Sequence, residues 1–213
     1  MGSFSSRVNA MPRARLLLLA CLALLLGACS GEQPRLPRLA ADAVVLAFGD
    51  SLTYGTGARE EESYPAQLER LIGRRVVGAG VPGEVSATGL ARLPAALEEH
   101  QPRLLLLCHG GNDFLRRLSK SQAAENLRAM IRLAKGRGVD VLLIGTPEPG
   151  ITVTPPEFYA EIAAEFRIPY EGSVLGSVLR DASLKSDQIH PNAKGYRMIA
   201  HRVSEVLRQA GAL

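Results

Sequence analysis

Short apolar runs of strand length alternate with amphipathic stretches of helical length over most of this chain. The runs that predict strands are 43–48, 75–79, 103–108, 139–144 and a shorter one near 168–170. The stretches that predict helices are 63–73, 85–100, 121–137, 156–167 and 193–209. Strands that alternate with helices usually form a parallel sheet covered on both faces. The pattern therefore predicts an α/β fold, a three-layer α/β/α sandwich with a five-stranded parallel sheet in flavodoxin-like order.

The N-terminal residues have a different pattern, which is typical of a targeting segment. Arg13 and Arg15 precede an apolar run over 16–26, which has the length of a signal-peptide core and is too short to span a bilayer. The run ends in Leu26-Gly27-Ala28-Cys29, which resembles the cleavage box of bacterial lipoproteins. We expect a lipoprotein signal peptide over 1–28 and lipidation of Cys29, which attaches the protein to a membrane. Cleavage after Ala28 to give a soluble periplasmic or secreted protein is the alternative.

Residues 29–42 contain two prolines and scattered polar side chains, and they predict a tether between this anchor and a domain at 43–213. Ser30, rather than an aspartate, follows the lipidated cysteine. In such lipoproteins this implies the outer membrane, so we expect a protein that faces the periplasm. Three of the 25 basic residues lie in the signal, so 22 remain against 21 acidic residues. This balance does not indicate a nucleic-acid partner, and we expect a monomer.

Cys108 and His109 stand next to each other at the end of the third predicted strand. Cys108 follows the apolar run 104–107, so we interpret it as a buried core residue, and a nucleophilic role beside His109 is the minor alternative. His109 stands at a strand end and is a candidate to line a site there. If Cys29 is lipidated, no disulfide can form in the mature domain. No cluster of His, Cys, Asp and Glu has the spacing of metal ligands, and we predict neither a metal nor a cofactor.

Gly49-Asp50-Ser51 directly follows the first predicted strand and precedes a loop that contains Gly55 and Gly57. Glycines let the backbone turn sharply and approach a ligand closely, so Ser51 is a candidate nucleophile. The alternative is that Ser51 only makes a turn or caps a helix. The G-x-S-x-G elbow is absent, which argues against the α/β-hydrolase fold.

Asp187 and His190 lie three residues apart, just before Pro191-Asn192 and the last predicted helix. A short turn can bring the carboxylate to one ring nitrogen of the histidine and leave the other nitrogen free as a base. The alternative is a surface loop in which both side chains are solvated.

Asn112, in Gly110-Gly111-Asn112-Asp113, follows the third predicted strand, and Gly83 follows the second. A side-chain amide and a backbone N–H at the carboxyl edge of a sheet are suitable donors to a developing oxyanion. The alternatives are a helix cap or Asx-turn at Asn112 and a simple turn at Gly83.

In combination, these blocks resemble the SGNH, or GDSL-type, esterase/lipase family over residues 43–209. Ser51, Gly83, Asn112 and His190 match its four blocks, with Asp187 as the acid of the triad. The segments 89–93 and 112–116 are similar to the bacterial envelope branch of thioesterase, lysophospholipase and arylesterase enzymes. The resemblance implies a serine hydrolase that cleaves esters or thioesters through an acyl-enzyme.

The residues given roles by this resemblance are the triad Ser51, Asp187 and His190, and the oxyanion donors Ser51, Gly83 and Asn112. The expected substrates are small esters or lipids: short to medium acyl esters, aryl esters or lysophospholipids. The alternatives are a carbohydrate O-deacetylase and a non-catalytic acyl-binding lipoprotein.

The segment 146–154 departs from the tyrosine- and arginine-containing loop expected in that branch, and this departure bears on substrate preference. We expect the acyl chain to lie in an open groove among the loops 81–90, 113–120 and 147–156. The candidate apolar contacts there are Val81, Val85, Leu90, Phe114, Leu115, Ile151 and Val153.

Overall fold

Five strands form one parallel sheet in the part of the chain that the computed structural model describes, residues 34–150 and 152–213. They are β1 (Val45–Gly49), β2 (Val76–Gly80), β3 (Leu104–Cys108), β4 (Asp140–Ile144) and β5 (Tyr170–Glu171). The order across the sheet is β2-β1-β3-β4-β5, with parallel pairing throughout. This is the predicted flavodoxin-like order.

Helices connect the strands. They are α1 (Ser51–Tyr54), α2 (Tyr64–Ile72), α3 (Ser86–His100), α4 (Gly111–Leu115), α5 (Lys120–Gly136), α6 (Phe158–Phe166), α7 (Val174–Arg180) and α8 (Ala193–Gln209), with 3-10 turns at Glu60–Glu62 and Ala182–Leu184. The sequence pattern did not predict α1, α4 and α7, because such short helices hold too few residues to show a helical period. No helix within the described residues is both long and apolar enough to cross a membrane.

The helices cover both faces of the sheet because successive side chains of a strand point to opposite sides. In β1, Val45 and Ala47 pack in one buried cluster with α2, α7 and α8. Leu46 and Phe48 pack in a second cluster with α3, α5 and α6. Full burial of such an aliphatic or aromatic side chain contributes about 1.5–3 kcal/mol. The two clusters confirm the predicted three-layer sandwich.

The segment 34–42 packs against the domain, which corrects the C-terminal part of the tether predicted at 29–42. The N–H of Leu36 donates to the carbonyl of Ala210 (2.8 Å), and that of Leu39 donates to the carbonyl of Ala212 (2.9 Å). Both leucine side chains are buried in the cluster that contains α8. The compact unit therefore begins at Pro34 and not at Ala43. The predicted signal 1–28 and Cys29 lie outside the described residues.

The carboxyl ends of β1 and β3 bring two of the sequence motifs together. Gly49, the last residue of β1, pairs with Cys108 of β3 and with Gly80 of β2. A Cβ atom at Gly49 would collide with the carbonyl oxygen of Cys108 and the hydroxyl of Thr53, so only glycine fits between the strands. The turns that follow β1 and β3 consequently emerge side by side at the edge where sheets of this kind bind ligands.

Candidate active site

Ser51 is the first residue of helix α1, and Asp50 before it is the helix cap. Oδ1 of the buried Asp50 carboxylate accepts a hydrogen bond from the N–H of Leu52 (3.0 Å). Ser51 itself does not cap the helix. Its N–H belongs to the first turn, where backbone donors have no partner within the helix. Among the described residues that N–H donates to no acceptor, so it is available to a ligand.

Ser51, His190 and Asp187 form a hydrogen-bonded chain. Nε2 of His190 lies 3.0 Å from Oγ of Ser51, and Nδ1 of His190 lies 2.7 Å from Oδ2 of Asp187. The other carboxylate oxygen of Asp187 accepts the N–H groups of Ile189 (2.8 Å) and His190 (2.9 Å). A solvated loop would not hold the histidine ring in this way. The geometry is that of a nucleophile, a base and an orienting carboxylate.

The Asp187 carboxylate remains charged near neutral pH. Its partial burial raises the pKa, but the hydrogen bonds from the His190 ring and from the two backbone N–H groups outweigh this and lower the pKa below its usual value. A carboxylate in this state accepts a hydrogen bond from the N–H at Nδ1 of His190 and leaves Nε2 free to face Ser51.

The turn that carries Asp187 and His190 is fixed at both ends by backbone hydrogen bonds. Lys185 and Pro191 form an isolated antiparallel bridge, and the N–H of Ser186 donates to the carbonyl of His190 (3.0 Å). Asn192 then caps α8, because its Oδ1 accepts the N–H groups of Lys194 (3.0 Å) and Gly195 (3.2 Å). The long helix α8 thereby anchors the turn.

Asn112 lies in α4 and contacts both neighbouring loops through its side-chain amide. Its Nδ2 donates to the carbonyl of Glu84 (3.0 Å) and to Oδ2 of Asp50 (3.2 Å). Gly110 rather than Asn112 is at the N-cap position of α4, so the helix-cap interpretation of Asn112 is wrong. Asn112 lines the same cavity as Ser51 and His190.

Gly83 lies in a tight turn, where its φ of 77° favours glycine. Its carbonyl accepts a hydrogen bond from Nη2 of Arg116 (2.7 Å). Within the described part of the chain its N–H donates to no acceptor, as is the case for Ser51. Gly83 is not among the residues that line the cavity itself.

Asp50 is a buried acid beside the nucleophile. Burial raises its pKa above the usual value, and the neighbouring His109 ring, the N–H of Leu52 and the His190 ring counteract this only in part. Asp50 connects α1 to Asn112 by accepting from both, so it orients the loop that carries Ser51. The local sequence Gly49-Asp50-Ser51 did not indicate this role for Asp50.

A cavity of about 310 Å³ opens at Ser51, His190 and Asn112. Its apolar wall includes Leu115, Pro147, Pro149, Val153, Leu179 and Ile189. The segment 146–154, which departs from the family pattern, thus contributes directly to the wall. Leu179 and Ile189 were not predicted to line the cavity. Leu179 lies in α7, which carries no sequence motif, and Ile189 lies between Asp187 and His190, a motif that drew attention only to its polar residues.

The expected acyl groove is wrong in part. Leu115 and Val153 line the cavity, but the loop 81–90 does not. Phe114 is buried in the core cluster beneath, and Leu90 packs against that cluster, because both lie on inward-facing sides of their helices. Ile151 lies outside the described residues.

His109 and Cys108 are both buried under the site and do not line it. His109 is 0% exposed and its Nε2 lies 3.1 Å from Oε2 of Glu84, which corrects the expectation that His109 lines the site. Burial raises the pKa of the Cys108 thiol, and the nearby Asp50 raises it further. A buried thiol of this kind is inert, which supports the core interpretation of Cys108.

The model of the GDSL-like lipase/acylhydrolase family matches residues 47–198, a range that includes every residue of the hydrogen-bonded chain. The protein belongs to this family. The predicted resemblance is confirmed, and membership makes the protein an enzyme that hydrolyses esters.

Relatives in this family match along most of the chain. Esterase TesA of Pseudomonas aeruginosa is 33% identical over 195 residues, which cover 83% of this chain and 89% of that protein. The thioesterase 1/protease 1/lysophospholipase L1 of Escherichia coli K12 is 32% identical over 179 residues, 80% of this chain and 86% of that protein.

Solved structures of the family agree with the fold. A crystal structure of TesA superposes with a TM-score of 0.69 at 29% identity and covers 78% of this chain and 99% of that one. AlinE4, an SGNH-hydrolase family esterase, gives a TM-score of 0.63 at 33% identity and covers 81% of this chain and 98% of that one.

Proposed function

We propose that Ser51 is the nucleophile of this esterase, that His190 is its general base and acid, and that Asp187 orients the histidine. The observation that carries the proposal is the hydrogen-bonded chain from Ser51 Oγ through the His190 ring to Asp187, at 3.0 and 2.7 Å. Ser51 Oγ attacks the ester carbonyl carbon as its proton passes to Nε2 of His190. The carbon–oxygen bond to the alcohol then breaks, and the alcohol leaves with that proton.

Water completes the cycle at the same groups. It attacks the acyl carbon and gives a proton to Nε2 of His190, and the bond to Ser51 Oγ breaks as the serine recovers the proton. Asp187 stabilises the imidazolium in both halves of the reaction without taking its proton.

The oxyanion of each tetrahedral intermediate would be bound by the N–H groups of Ser51 and Gly83 and by the amide of Asn112. The free state of both N–H groups among the described residues supports this assignment. Asn112 donates one hydrogen to the carbonyl of Glu84 and the other to Asp50 at 3.2 Å, the longer of the two contacts. The oxyanion would compete with Asp50 for that second hydrogen as charge develops.

The acyl group would occupy the cavity and remain short to medium in length. A volume of about 310 Å³ is at the lower end for small-molecule sites, and the wall is mostly apolar. Each methylene buried in it adds about 0.8 kcal/mol, roughly a fourfold gain, until the wall ends. The name of the Escherichia coli relative supports thioesters and lysophospholipids as the substrates to compare first.

We further propose that Cys29 is lipidated and anchors the enzyme to the outer membrane. The support is the sequence Leu26-Gly27-Ala28-Cys29 behind an apolar run with basic residues before it. Metabolic labelling with a fatty acid should mark the full chain but not Cys29→Ala. Equal labelling of the variant would contradict the anchor.

The mechanism is tested by Ser51→Ala with a fluorophosphonate probe. Wild type should be labelled covalently and should hydrolyse p-nitrophenyl butyrate, whereas the folded variant should do neither. Hydrolysis at the wild-type rate in Ser51→Ala would refute the mechanism. A wild type that cleaves acetylated sugars but no acyl thioester or lysophospholipid would favour the O-deacetylase alternative.

A further inference from the structure

A buried group of charges lies beneath the two loops that carry Gly83 and Asn112, and the proposed mechanism does not use it. The Glu84 side chain is 3% exposed and faces Arg92 and His109. Nε of Arg92 donates to Oε1 of Glu84 (2.9 Å), and Nη2 of Arg92 donates to Oε2 (2.7 Å). The guanidinium also lies 4.0 Å from the centre of the Phe48 ring and donates to the carbonyl of Ala79 (3.1 Å).

His109 completes this group, and its tautomer follows from its contacts. The N–H of Gly110 donates to Nδ1 of His109 (3.1 Å), so Nδ1 is an acceptor. Nε2 therefore carries the proton and donates to Oε2 of Glu84 at 3.1 Å. The backbone of His109 is held as well, because the hydroxyl of Tyr159 donates to its carbonyl (2.7 Å).

Glu84 remains a carboxylate in this setting. Its burial raises the pKa, but the hydrogen bonds from His109 and Arg92 outweigh burial and lower the pKa to about 2. Three N–H groups donate to its two oxygens. A glutamine side chain of the same shape could not accept all three hydrogen bonds, because one of its two terminal atoms is an NH₂ donor.

The backbone of Glu84 touches both proposed oxyanion donors outside Ser51. Its carbonyl accepts from Nδ2 of Asn112 (3.0 Å), and the residue directly before it is Gly83. A second connection between the two loops lies beside this hydrogen bond. The Asp113 carboxylate accepts hydrogen bonds from the N–H (2.8 Å) and the hydroxyl (2.7 Å) of Ser86. The loops that carry Gly83 and Asn112 are thus cross-linked through residues 84, 86, 112 and 113.

We propose that the Glu84 carboxylate, held by His109 and Arg92, is a positioning residue that sets the Gly83 N–H and the Asn112 amide at the oxyanion. His109 stands one residue before the Gly110-Gly111 turn into Asn112, so the Glu84–His109 contact joins the two donor loops across the protein interior. Glu84 acts through these donors and touches no reacting atom. The inference rests on the proposed function, since it assigns Glu84 to the same oxyanion site.

The test compares Glu84→Gln, His109→Gln and His109→Asn in the steady-state hydrolysis of p-nitrophenyl butyrate. A glutamine at 109 can place an N–H near the position of Nε2, whereas an asparagine reaches only the position of Nδ1. We expect kcat to fall about 10- to 100-fold in Glu84→Gln and His109→Asn, less than the 10²–10³-fold typical of a lost oxyanion donor. KM should change less than threefold, and His109→Gln should recover most of the rate.

A double-mutant cycle separates positioning from a loss of stability. If Glu84 acts through Asn112, Glu84→Gln should cost a smaller factor in the Asn112→Ala background than in wild type. An equal factor in both backgrounds would contradict the proposal. Glu171→Gln is the matched control. The Glu171 side chain is also buried (1% exposed) and contacts Nε of Arg202 (3.3 Å), but it lies at the end of β5 and does not line the cavity. It should lower the thermal midpoint and leave kcat of the folded enzyme within twofold.

The outcomes are distinguishable from failure of the proposed mechanism. An active wild type with an inactive Ser51→Ala, together with Glu84→Gln and His109→Asn at wild-type kcat, would overturn only the positioning role. If Glu84→Gln does not fold, the comparison of His109→Gln with His109→Asn decides, because equal rates in these two would also overturn it.

Discussion

Replacing Asp187 with asparagine tests the proposal that this carboxylate orients His190 as the catalytic base. The variant keeps one oxygen for the N–H groups of Ile189 and His190, which Oδ1 accepts at 2.8 and 2.9 Å, so the turn should persist. It replaces the oxygen that lies 2.7 Å from Nδ1 of His190 with an amide NH₂. That amide donates to Nδ1 and moves the ring proton to Nε2, which then cannot accept the proton of Ser51.

The size of the effect follows from the exposure of the carboxylate. Its side chain is 51% exposed, so the effective dielectric constant lies between a surface value of about 20 and about 80 for water. Two unit charges about 4 Å apart then interact by about 1–4 kcal/mol, which is roughly 5-fold to 10³-fold in rate. Because the wrong tautomer adds to this electrostatic loss, we expect kcat to fall by about 10²–10³-fold.

The assay is kcat and KM for p-nitrophenyl butyrate, with the thermal midpoint measured for each variant. Asp181→Asn is the control, because Asp181 accepts the N–H (2.8 Å) and hydroxyl (2.8 Å) of Ser183 in the same segment but does not contact the histidine. It should leave kcat within twofold. Asp187→Asn with a rate within threefold of wild type would refute the role of Asp187.

Three further predictions follow from the same geometry. Asn112→Ala should lose about 10²–10³-fold in kcat while fluorophosphonate still labels Ser51, and a loss below threefold would reduce Asn112 to a structural role. Because folding lowers the pKa of Glu84 from 4.5 to about 2, the carboxylate contributes stability above pH 4.5 that is lost as pH falls toward 2. We expect this contribution to the free energy of unfolding to be about 1–3 kcal/mol, after allowance for the 28% exposure of Arg92. It is measured by urea unfolding of wild type and of Glu84→Gln, each at pH 7 and at pH 3. The raised pKa of Asp50 has the opposite effect on stability as pH falls, but it is present in both proteins, so the test is the difference in stability between wild type and Glu84→Gln. If the stability of both proteins depends equally on pH, the prediction for Glu84 is wrong. Leu115→Trp should lower kcat/KM for p-nitrophenyl octanoate more than for the butyrate, because Leu115 lines the cavity, and an unchanged ratio would remove the acyl chain from that wall.

The sheet and its covering helices could be predicted from the sequence because their signals are local. β3 is a run of leucines buried on both faces, and α8 repeats its apolar residues with a helical period. The short helices α1 and α4 have too few residues for such a period, so the sequence predicted only the turns at these positions. Ser51, Asn112, Asp187 and His190 could be identified as candidates because their local sequence blocks resemble those of the family.

Other features depend on contacts between distant residues, and only the tertiary structure decided them. Leu36 and Leu39 lie in a stretch that the sequence predicts to be a tether, but both side chains are buried in the cluster that contains α8, and their N–H groups donate to the carbonyls of Ala210 and Ala212. Glu84 and His109 are separated by 25 residues, and nothing in their local patterns indicates that they meet. The cavity wall combines the segment 146–153 with Leu179 and Ile189.

The sequence by itself therefore determined the order of the elements and the chemical types available at the sheet edge. The tertiary structure decided which of these side chains meet, at what distance, and which are withdrawn from water. The physical reason is that periodicity and turn preference are properties of neighbouring residues. Burial and hydrogen-bond partnership arise only when elements far apart in the chain pack together.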